Sequence, residues 1–216
     1  MAKPKTYSWA DPRSLTRFAL AILALDLLYD VWGLVMTLIW GRQLDYKTTP
    51  LPELSPIQAM AFLHDLAGLI TLLGAVVLLL WILRASKNAH ALKRRPLENS
   101  PMFAALWWYL IPIMSLFKPV ESISEIWDAS APSHAAAKPG RAAIVIWWGG
   151  VIAYAMTAFA AGIGPVLVEL NQVASIVRCV AFAYIVRRIC AMQLEKHALP
   201  INESDPPLNV LERLSG

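Results

Sequence analysis

The sequence predicts an all-α integral membrane protein with four transmembrane helices and a proline-broken pair of short helices between the second and third spans. The chain of 216 residues is 57% hydrophobic, only 16% of its residues are charged, and its mean hydropathy is +0.51. Soluble domains hold about 45–50% apolar and about 25% charged residues. Its apolar runs are long enough to cross a hydrocarbon core of about 30 Å, where a helix satisfies its own backbone.

Four spans are predicted by length, at about residues 18–40, 57–83, 142–163 and 165–186. The first span is too long for the apolar core of a cleavable signal peptide, which has about 7–15 residues. We therefore expect a basic N-terminal segment (1–17), a single membrane domain (18–188) and a polar tail (189–216). Only a Gly-Ile-Gly corner separates the last two spans, and Pro165 suits the first turn of the returning helix.

The lysines and arginines predict the orientation of the chain. They cluster before the first span, after the second, before the third and after the fourth, whereas the loop between the first two spans holds only Arg42 and Lys47. Cytoplasmic loops carry the excess of Lys and Arg. Both termini of this multi-pass membrane protein are therefore predicted to be cytoplasmic.

Residues 102–130, between the second and third spans, do not have the pattern of a membrane span. The first half of this segment, Met102 to Phe117, is apolar but short and is interrupted by Pro112. Because both flanks are basic, we expect a re-entrant or surface-lying helical pair and no crossing. After Pro119 the spacing predicts an amphipathic helix. Its apolar positions are Val120, Ile123, Ile126 and Trp127, and its acidic positions are Glu121, Glu125 and Asp128.

An ordered string of residues in this region carries a family resemblance. It consists of Arg84-Ala-Ser-Lys-Asn-Ala-His-Ala-Leu92, Ser100-Pro101, Trp108-Tyr-Leu-Ile-Pro112, Leu116-Phe-Lys-Pro119 and Glu125-Ile-Trp-Asp-Ala-Ser130. The string resembles the bacterial membrane family named domain of unknown function 4328 (DUF4328). It departs from the family at Val120, where we expect an aromatic residue. The resemblance implies a small multi-helix bacterial membrane protein with no agreed activity.

Ionisable residues inside the spans are the best candidates for a site, because such residues are costly in lipid and face the bundle interior. Asp26 and Asp30 lie one turn apart on the first span, and Arg178 lies at a similar depth on the fourth. Two carboxylates then share one guanidinium, so we expect one carboxylate to be protonated or solvated. A second, outer polar layer is predicted from the remaining ionisable residues, His64, Asp65 and Glu169.

These layers have two interpretations. The favoured one is an ion-pair lock that fixes helix register, and the alternative is a proton or cation path or a pocket for a small polar substrate. Catalysis has less support, because His64 and Asp65 are neighbours on a helix and point about 100° apart. The chain also lacks the GxSxG, HExxH, Walker and dinucleotide motifs. We therefore expect no catalytic residues and no cofactor.

Metal, disulfide and nucleic-acid sites are not predicted either. Cys179 and Cys190 belong to no CxxC or Cys/His cluster, so we expect free thiols. The net charge of +4 is spread over short flanks, which does not suit a nucleic-acid partner.

The broken segment could also line an interfacial pocket. The candidates for this pocket are Trp107, Trp108, Pro112, Lys118, Glu121, Glu125 and Trp127. An aromatic belt is the ordinary interpretation of tryptophans near span ends, and the basic run at 93–95 suits anionic lipid head groups. The sequence thus favours a non-enzymatic scaffold or accessory protein that docks lipid, another membrane protein or a second copy. The alternative is a small transporter or channel that uses Asp26, Asp30 and Arg178.

Overall fold

The computed structural model describes residues 7–40, 56–92, 97–132, 140–160 and 165–198. Within these ranges the fold is all-helical and contains no strand. The α-helices are α1 (Arg13–Trp40), α2 (Pro56–Leu92), α3 (Trp108–Leu110), α4 (Lys118–Ser130), α5 (Gly140–Ala160) and α6 (Pro165–Ala198). A π-helical turn, Phe103–Trp107, precedes α3, and a 3-10 turn, Met114–Leu116, follows it.

Four of these helices are long and apolar enough to cross a membrane. The candidate spans are Arg13–Val35 in α1, Leu69–Leu92 in α2, Gly140–Phe159 in α5 and Val166–Ala198 in α6. The predicted four-span, all-helical fold class is thereby confirmed. The basic run at 93–95 and the Gly-Ile-Gly corner before Pro165 lie outside the described residues.

Two of the long helices continue past the span ends that the sequence indicated. Helix α2 runs beyond Leu83 to Leu92, and α6 runs beyond Val186 to Ala198, so the tail begins as an uninterrupted helix. The charged residues that marked the predicted ends do not break a helix. Small and apolar side chains also remain buried past those ends, among them Ala89 and Ile189. Tertiary packing therefore stabilises both extensions.

Helix α6 lies at the centre of the arrangement. It packs along α5 on one side and along α1 on the other, and α1 in turn packs against α2. Helix α4 contacts α2, α5 and α6, so it fills the space between α2 and α5 at the end of the bundle where α2 and α6 finish. We call this end of the bundle the α4 end.

The buried apolar core is concentrated at the α4 end. The largest fully buried side chains of the core are Trp81, Trp127, Ile123, Ile126, Ile144, Ile185 and Ile189. Trp81 donates its indole N–H to Thr16 at 3.0 Å, which joins α2 to the first turn of α1. Elsewhere the spans expose large apolar side chains such as Leu28, Leu72 and Phe159, as expected of helices that face lipid.

The segment 102–130 is broken at Pro112, as the sequence predicts. Helix α4 has the predicted amphipathic character, because Ile123 and Trp127 are buried while Glu121 and Asp128 are exposed. Its buried face rests on the ends of the long helices. The start of α5 lies directly on Trp127, since a Cβ added to Gly140 would come within 2.0 Å of the Trp127 ring.

Candidate functional site

A polar layer crosses the bundle where α1 and α6 are in contact. Arg178 on α6 donates from Nη2 to Oδ2 of Asp26 on α1 at 3.0 Å. Asp26 is one of the few buried charged residues among those described. The structure thus brings together the two residues that the sequence places at a similar depth.

Asp30 joins the same layer through a hydroxyl group. Ser175 accepts hydrogen bonds from Nη2 and Nε of Arg178 at 2.9 and 3.2 Å. It donates its own proton to Oδ2 of Asp30 at 2.5 Å. The guanidinium therefore supports one carboxylate directly and the other through the Ser175 hydroxyl, which polarises towards Asp30.

All four long helices contribute to the polar layer. Helix α2 supplies Thr71, whose Oγ1 donates to Oδ1 of Asp26 at 3.3 Å. Helix α5 supplies the ring of Tyr154, which lies 4.6 Å from the Arg178 guanidinium carbon. Cys179 donates from Sγ to Oδ2 of Asp26 at 3.4 Å. Groups from all four long helices thus converge on one ion pair.

The carboxylates and the thiol of this layer could in principle ligate a cation. One ligand atom from each of Asp26, Asp30 and Cys179 lies within 4.8 Å of the others. The carboxylate oxygens nevertheless already accept hydrogen bonds from Thr71, Ser175, Arg178 and Cys179. A metal ion would have to displace these donors and would lie beside a permanent positive charge. The donor set therefore suits an ion-pair lock better than a metal centre.

Further polar contacts extend from the layer towards the start of α6. Asn171 donates from Nδ2 to the Tyr154 carbonyl at 2.8 Å and to the Thr157 hydroxyl at 3.0 Å. Glu169 is half-buried on the same helix. The side chains of His64 and Asp65 lie outside the described part of α2, so the structure places only one residue of the predicted outer layer.

A second polar cluster, which we call the polar cap, lies at the α4 end. Its centre is Gln193, which is fully buried. The Gln193 side chain donates from Nε2 to the Ala85 carbonyl at 2.9 Å and to the Ser130 hydroxyl at 3.0 Å. Its Oε1 accepts from Nδ2 of Asn88 at 3.3 Å. The polar cap thus ties α6 to α2 and to the end of α4.

The polar cap also holds the segment that precedes α1. Asn88 accepts from the Ala10 N–H at 3.1 Å and donates to the Ala10 carbonyl at 2.8 Å, as a neighbouring strand would. Two aromatic residues of this segment contact histidine rings near helix ends, Tyr7 in a tilted arrangement and Trp9 in a stacked one. Tyr7 lies 4.9 Å from His90 on α2, and Trp9 lies 4.2 Å from His197 on α6. Residues 7–12 therefore form a strap across the ends of α2 and α6.

The residues proposed for an interfacial pocket occupy three different environments. Trp127 is in the core, whereas Trp107 and Pro112 are exposed. The others make local contacts. Trp108 donates its indole N–H to Oδ1 of Asn99 at 2.7 Å, and Glu125 accepts from the backbone and the side chain of Asn99.

Lys118 and Glu121 form a hydrogen-bonded salt bridge. The Lys118 ammonium also lies 5.7 Å from the centre of the Trp108 ring. The hydrogen bond to Glu121 raises the pKa of the Lys118 ammonium above its usual value. These pairs fasten the start of α4 to the segment before it.

The sequence reasoning missed several residues on which these sites depend. Gln193 was assigned to the tail, although its spacing from Ile189 and Ile185 continues the buried face of α6. Asn88 and Ser130 appear in the string that carries the family resemblance, but no role was derived for them. Gly74 was also missed, and its added Cβ would lie 2.9 Å from the Ile22 side chain on α1.

Comparison with known proteins agrees with the resemblance found in the sequence. The family profile described as Domain of unknown function (DUF4328) matches residues 55–194. Neither the curated proteins nor the solved structures contain a significant match. The matched region includes the polar cap and the α6 side of the polar layer, whereas Asp26 and Asp30 on α1 precede it. Because the profile covers more than half of the chain, the protein belongs to the DUF4328 family.

Proposed function

We propose that this protein is a non-enzymatic scaffold or accessory protein of the bacterial inner membrane, which docks lipid or a membrane partner. The distribution of Lys and Arg supports an orientation with both termini in the cytoplasm. In the described part of the chain, the polar side chains of the layer and of the cap bind one another, as the contacts above specify. A framework fastened in this way suits a protein whose outer surface carries the function.

The direct contact between Arg178 and Asp26 is the observation that carries this proposal. An ion pair inside a membrane bundle is stable only when each charge is compensated by its partner and by further hydrogen bonds. Arg178 meets this condition through Asp26, Ser175 and the Tyr154 ring. The charges are therefore used to hold α1 against α6.

A small transporter or channel is the second candidate, and Asp30 is the observation that favours it. Two carboxylates face one guanidinium, and the nearest partner of Asp30 is the neutral hydroxyl of Ser175. A proton or a small cation could neutralise the remaining negative charge. On this alternative, Asp30 would exchange its proton or cation during transport.

Purified protein in liposomes distinguishes the two functions. Proton and sodium flux are measured with pH-sensitive and sodium-sensitive dyes for the wild type, for Asp30→Asn and for the control Arg188→Ala on the exposed side of α6. A scaffold gives the flux of protein-free liposomes in all three cases. A transporter gives wild-type flux above that background, and Asp30→Asn abolishes it without lowering the melting temperature. The second result would refute the scaffold proposal.

A further inference from the structure

The segment between α2 and α4 exposes many large apolar side chains. We refer to residues 102–117 as the aromatic hairpin. Its exposed apolar residues are Met102, Phe103, Trp107, Leu110, Ile111, Ile113, Met114, Leu116 and Phe117. We propose that the aromatic hairpin is inserted into the leaflet at the α4 end and that lipid acyl chains cover its apolar surface. The inference deepens the proposed function, on which it rests, by naming lipid as the partner.

Contacts with α5 place the end of the hairpin inside the spanning region. The indole N–H of Trp148 donates to the Leu116 carbonyl at 2.9 Å. The same indole lies 5.9 Å from the ring of Tyr109, an edge-on contact. Trp148 lies roughly 12 Å along α5 from its first residue, Gly140, at about 1.5 Å per residue. The candidate span of α5 begins at Gly140. The contact at Trp148 therefore places this end of the hairpin within the length of the span and not at its start.

The other side of the hairpin is fitted to α2. Ala104 and Ala105 in the π-helical turn are buried, and this turn packs against α2. Small side chains permit the close approach of backbones that helix contacts in membranes require. The larger side chains of the same turn, Phe103 and Trp107, are turned outward. The hairpin is therefore held between α2 and α5 with its apolar side facing away from the bundle.

The backbone at the break is compatible with a lipid environment. A non-helical backbone is tolerated at membrane depth only when its polar groups have partners. Around Pro112, five backbone carbonyls accept hydrogen bonds, which come from backbone N–H groups, the Ser115 hydroxyl or the Trp148 indole. These carbonyls belong to Ile111, Pro112, Ile113, Met114 and Leu116. The broken segment thus does not need water at these carbonyls.

Lipid fits this surface better than a protein partner does. The exposed side chains occur on both arms of the hairpin and around its tip. Lys118, directly after the hairpin, is already paired with Glu121. Fluid acyl chains cover such an apolar surface without a complementary shape, and insertion is driven by the buried apolar area.

Site-directed spin labelling of the full chain in lipid nanodiscs tests the proposal. The label is placed at Ile113→Cys and, separately, at Phe117→Cys, which are 72% and 62% exposed. Leu28→Cys on α1 (66% exposed) is the lipid control, and the exposed position Glu195→Cys near the end of α6 is the water control. The native cysteines, Cys179 and Cys190, are buried, so the wild type gives the labelling background.

We expect both hairpin labels to resemble the Leu28 label, with relaxation by oxygen exceeding relaxation by a water-soluble nickel chelate several-fold. Relaxation by the chelate to the extent found at Glu195 would place the hairpin in water and overturn the proposal. Protection from both reagents would also overturn it, because another chain would then cover the surface. The flux assay and the labelling experiment are independent. Ion flux would refute the scaffold proposal without affecting the lipid contact, and a hairpin in water would refute the lipid contact without implying ion flux.

Discussion

Gly150 lies directly against the backbone of Arg178, and a Cβ added to Gly150 would come within 3.1 Å of the Arg178 nitrogen and Cβ. The absence of a side chain on α5 at this point lets α6 approach closely at the level of the polar layer. From there the Arg178 side chain reaches Asp26 on α1 and lies over the Tyr154 ring on α5. Helix approach and ion pairing are therefore coupled.

Gly150→Ala should separate α5 from α6 and lower stability by about 1–3 kcal/mol, the usual cost of overpacking. The neighbouring residue provides a matched control, because a Cβ added to Gly149 meets nothing within 4 Å. Gly149→Ala should be neutral or stabilise the protein by up to about 1 kcal/mol, since alanine is the better helix former. Unfolding in mixed micelles titrated with SDS measures both changes. Equal losses for the two variants would disprove the close contact.

Replacement of Arg178 by Met should destabilise the protein by roughly 3 kcal/mol or more, because two carboxylates then remain inside the bundle without their cation. The double variant Arg178→Met with Asp26→Asn should be more stable than the single Met variant, since less negative charge is stranded. Thermal unfolding followed by tryptophan fluorescence measures these differences. If Asp26→Asn lowers stability further in the Met background, the two residues do not form the lock described above.

The sequence predicted the spans and the meeting of Asp26 with Arg178, because both follow from helix length and from the rise per residue. It did not predict that Ser175 would connect Asp30 to the guanidinium, since that contact depends on side-chain rotamers. Spacing alone does not decide whether Gly74 or Ala75 follows Thr71 on the face towards α1, and in the structure Gly74 packs against α1 while Ala75 is exposed. Steps of three and four both follow a helix face, and only the partner helix decides between them.

The position of α4 in the bundle also could not be predicted from its own sequence pattern. Its amphipathic pattern predicted a helix with Ile123 and Trp127 on the buried side, and this face is correct. The pattern does not specify what covers that face. In the structure the ends of α2 and α6 cover it, because both helices extend past the apolar stretches from which their ends were predicted. The polar cap around Gln193 exists only through these extensions.

Ser175→Ala should cost about 1–3 kcal/mol, because it removes the hydroxyl that donates to Asp30 and accepts from Arg178. The loss should be smaller in the Asp30→Asn background, where no second carboxylate depends on the hydroxyl. A double-mutant cycle from SDS unfolding gives the coupling energy between the two positions. Strict additivity of the two substitutions would show that Ser175 does not transmit the charge of Arg178 to Asp30.

Gln193→Leu keeps most of the volume of the side chain but removes both donors to Ala85 and Ser130. The Ser130 hydroxyl also donates to the Ile126 carbonyl, so α4 retains one of its own contacts. We expect a loss of about 1–3 kcal/mol, since the Ala85 carbonyl and the Asn88 amide are left without their buried partner. Glu195→Leu, two residues further on and exposed, is the control and should leave the melting temperature unchanged.

The strap across the ends of α2 and α6 depends on Asn88, because a single side-chain amide binds both the N–H and the carbonyl of Ala10. Asn88→Ala removes both bonds, while the ring contacts of Tyr7 and Trp9 remain. Local opening of such a segment then becomes more frequent than global unfolding, and proteolysis follows the opened population.

We therefore expect chymotrypsin to cleave after Trp9 several-fold faster in Asn88→Ala than in the wild type, as measured by mass spectrometry of the released peptide. Lys87→Ala changes an exposed neighbour on the same helix and should leave the rate unchanged. Cleavage at one rate in all three proteins would mean that the ring contacts, and not the Asn88 amide, retain the strap. His197→Ala, which removes the ring stacked on Trp9 at 4.2 Å, would then be the variant that accelerates cleavage.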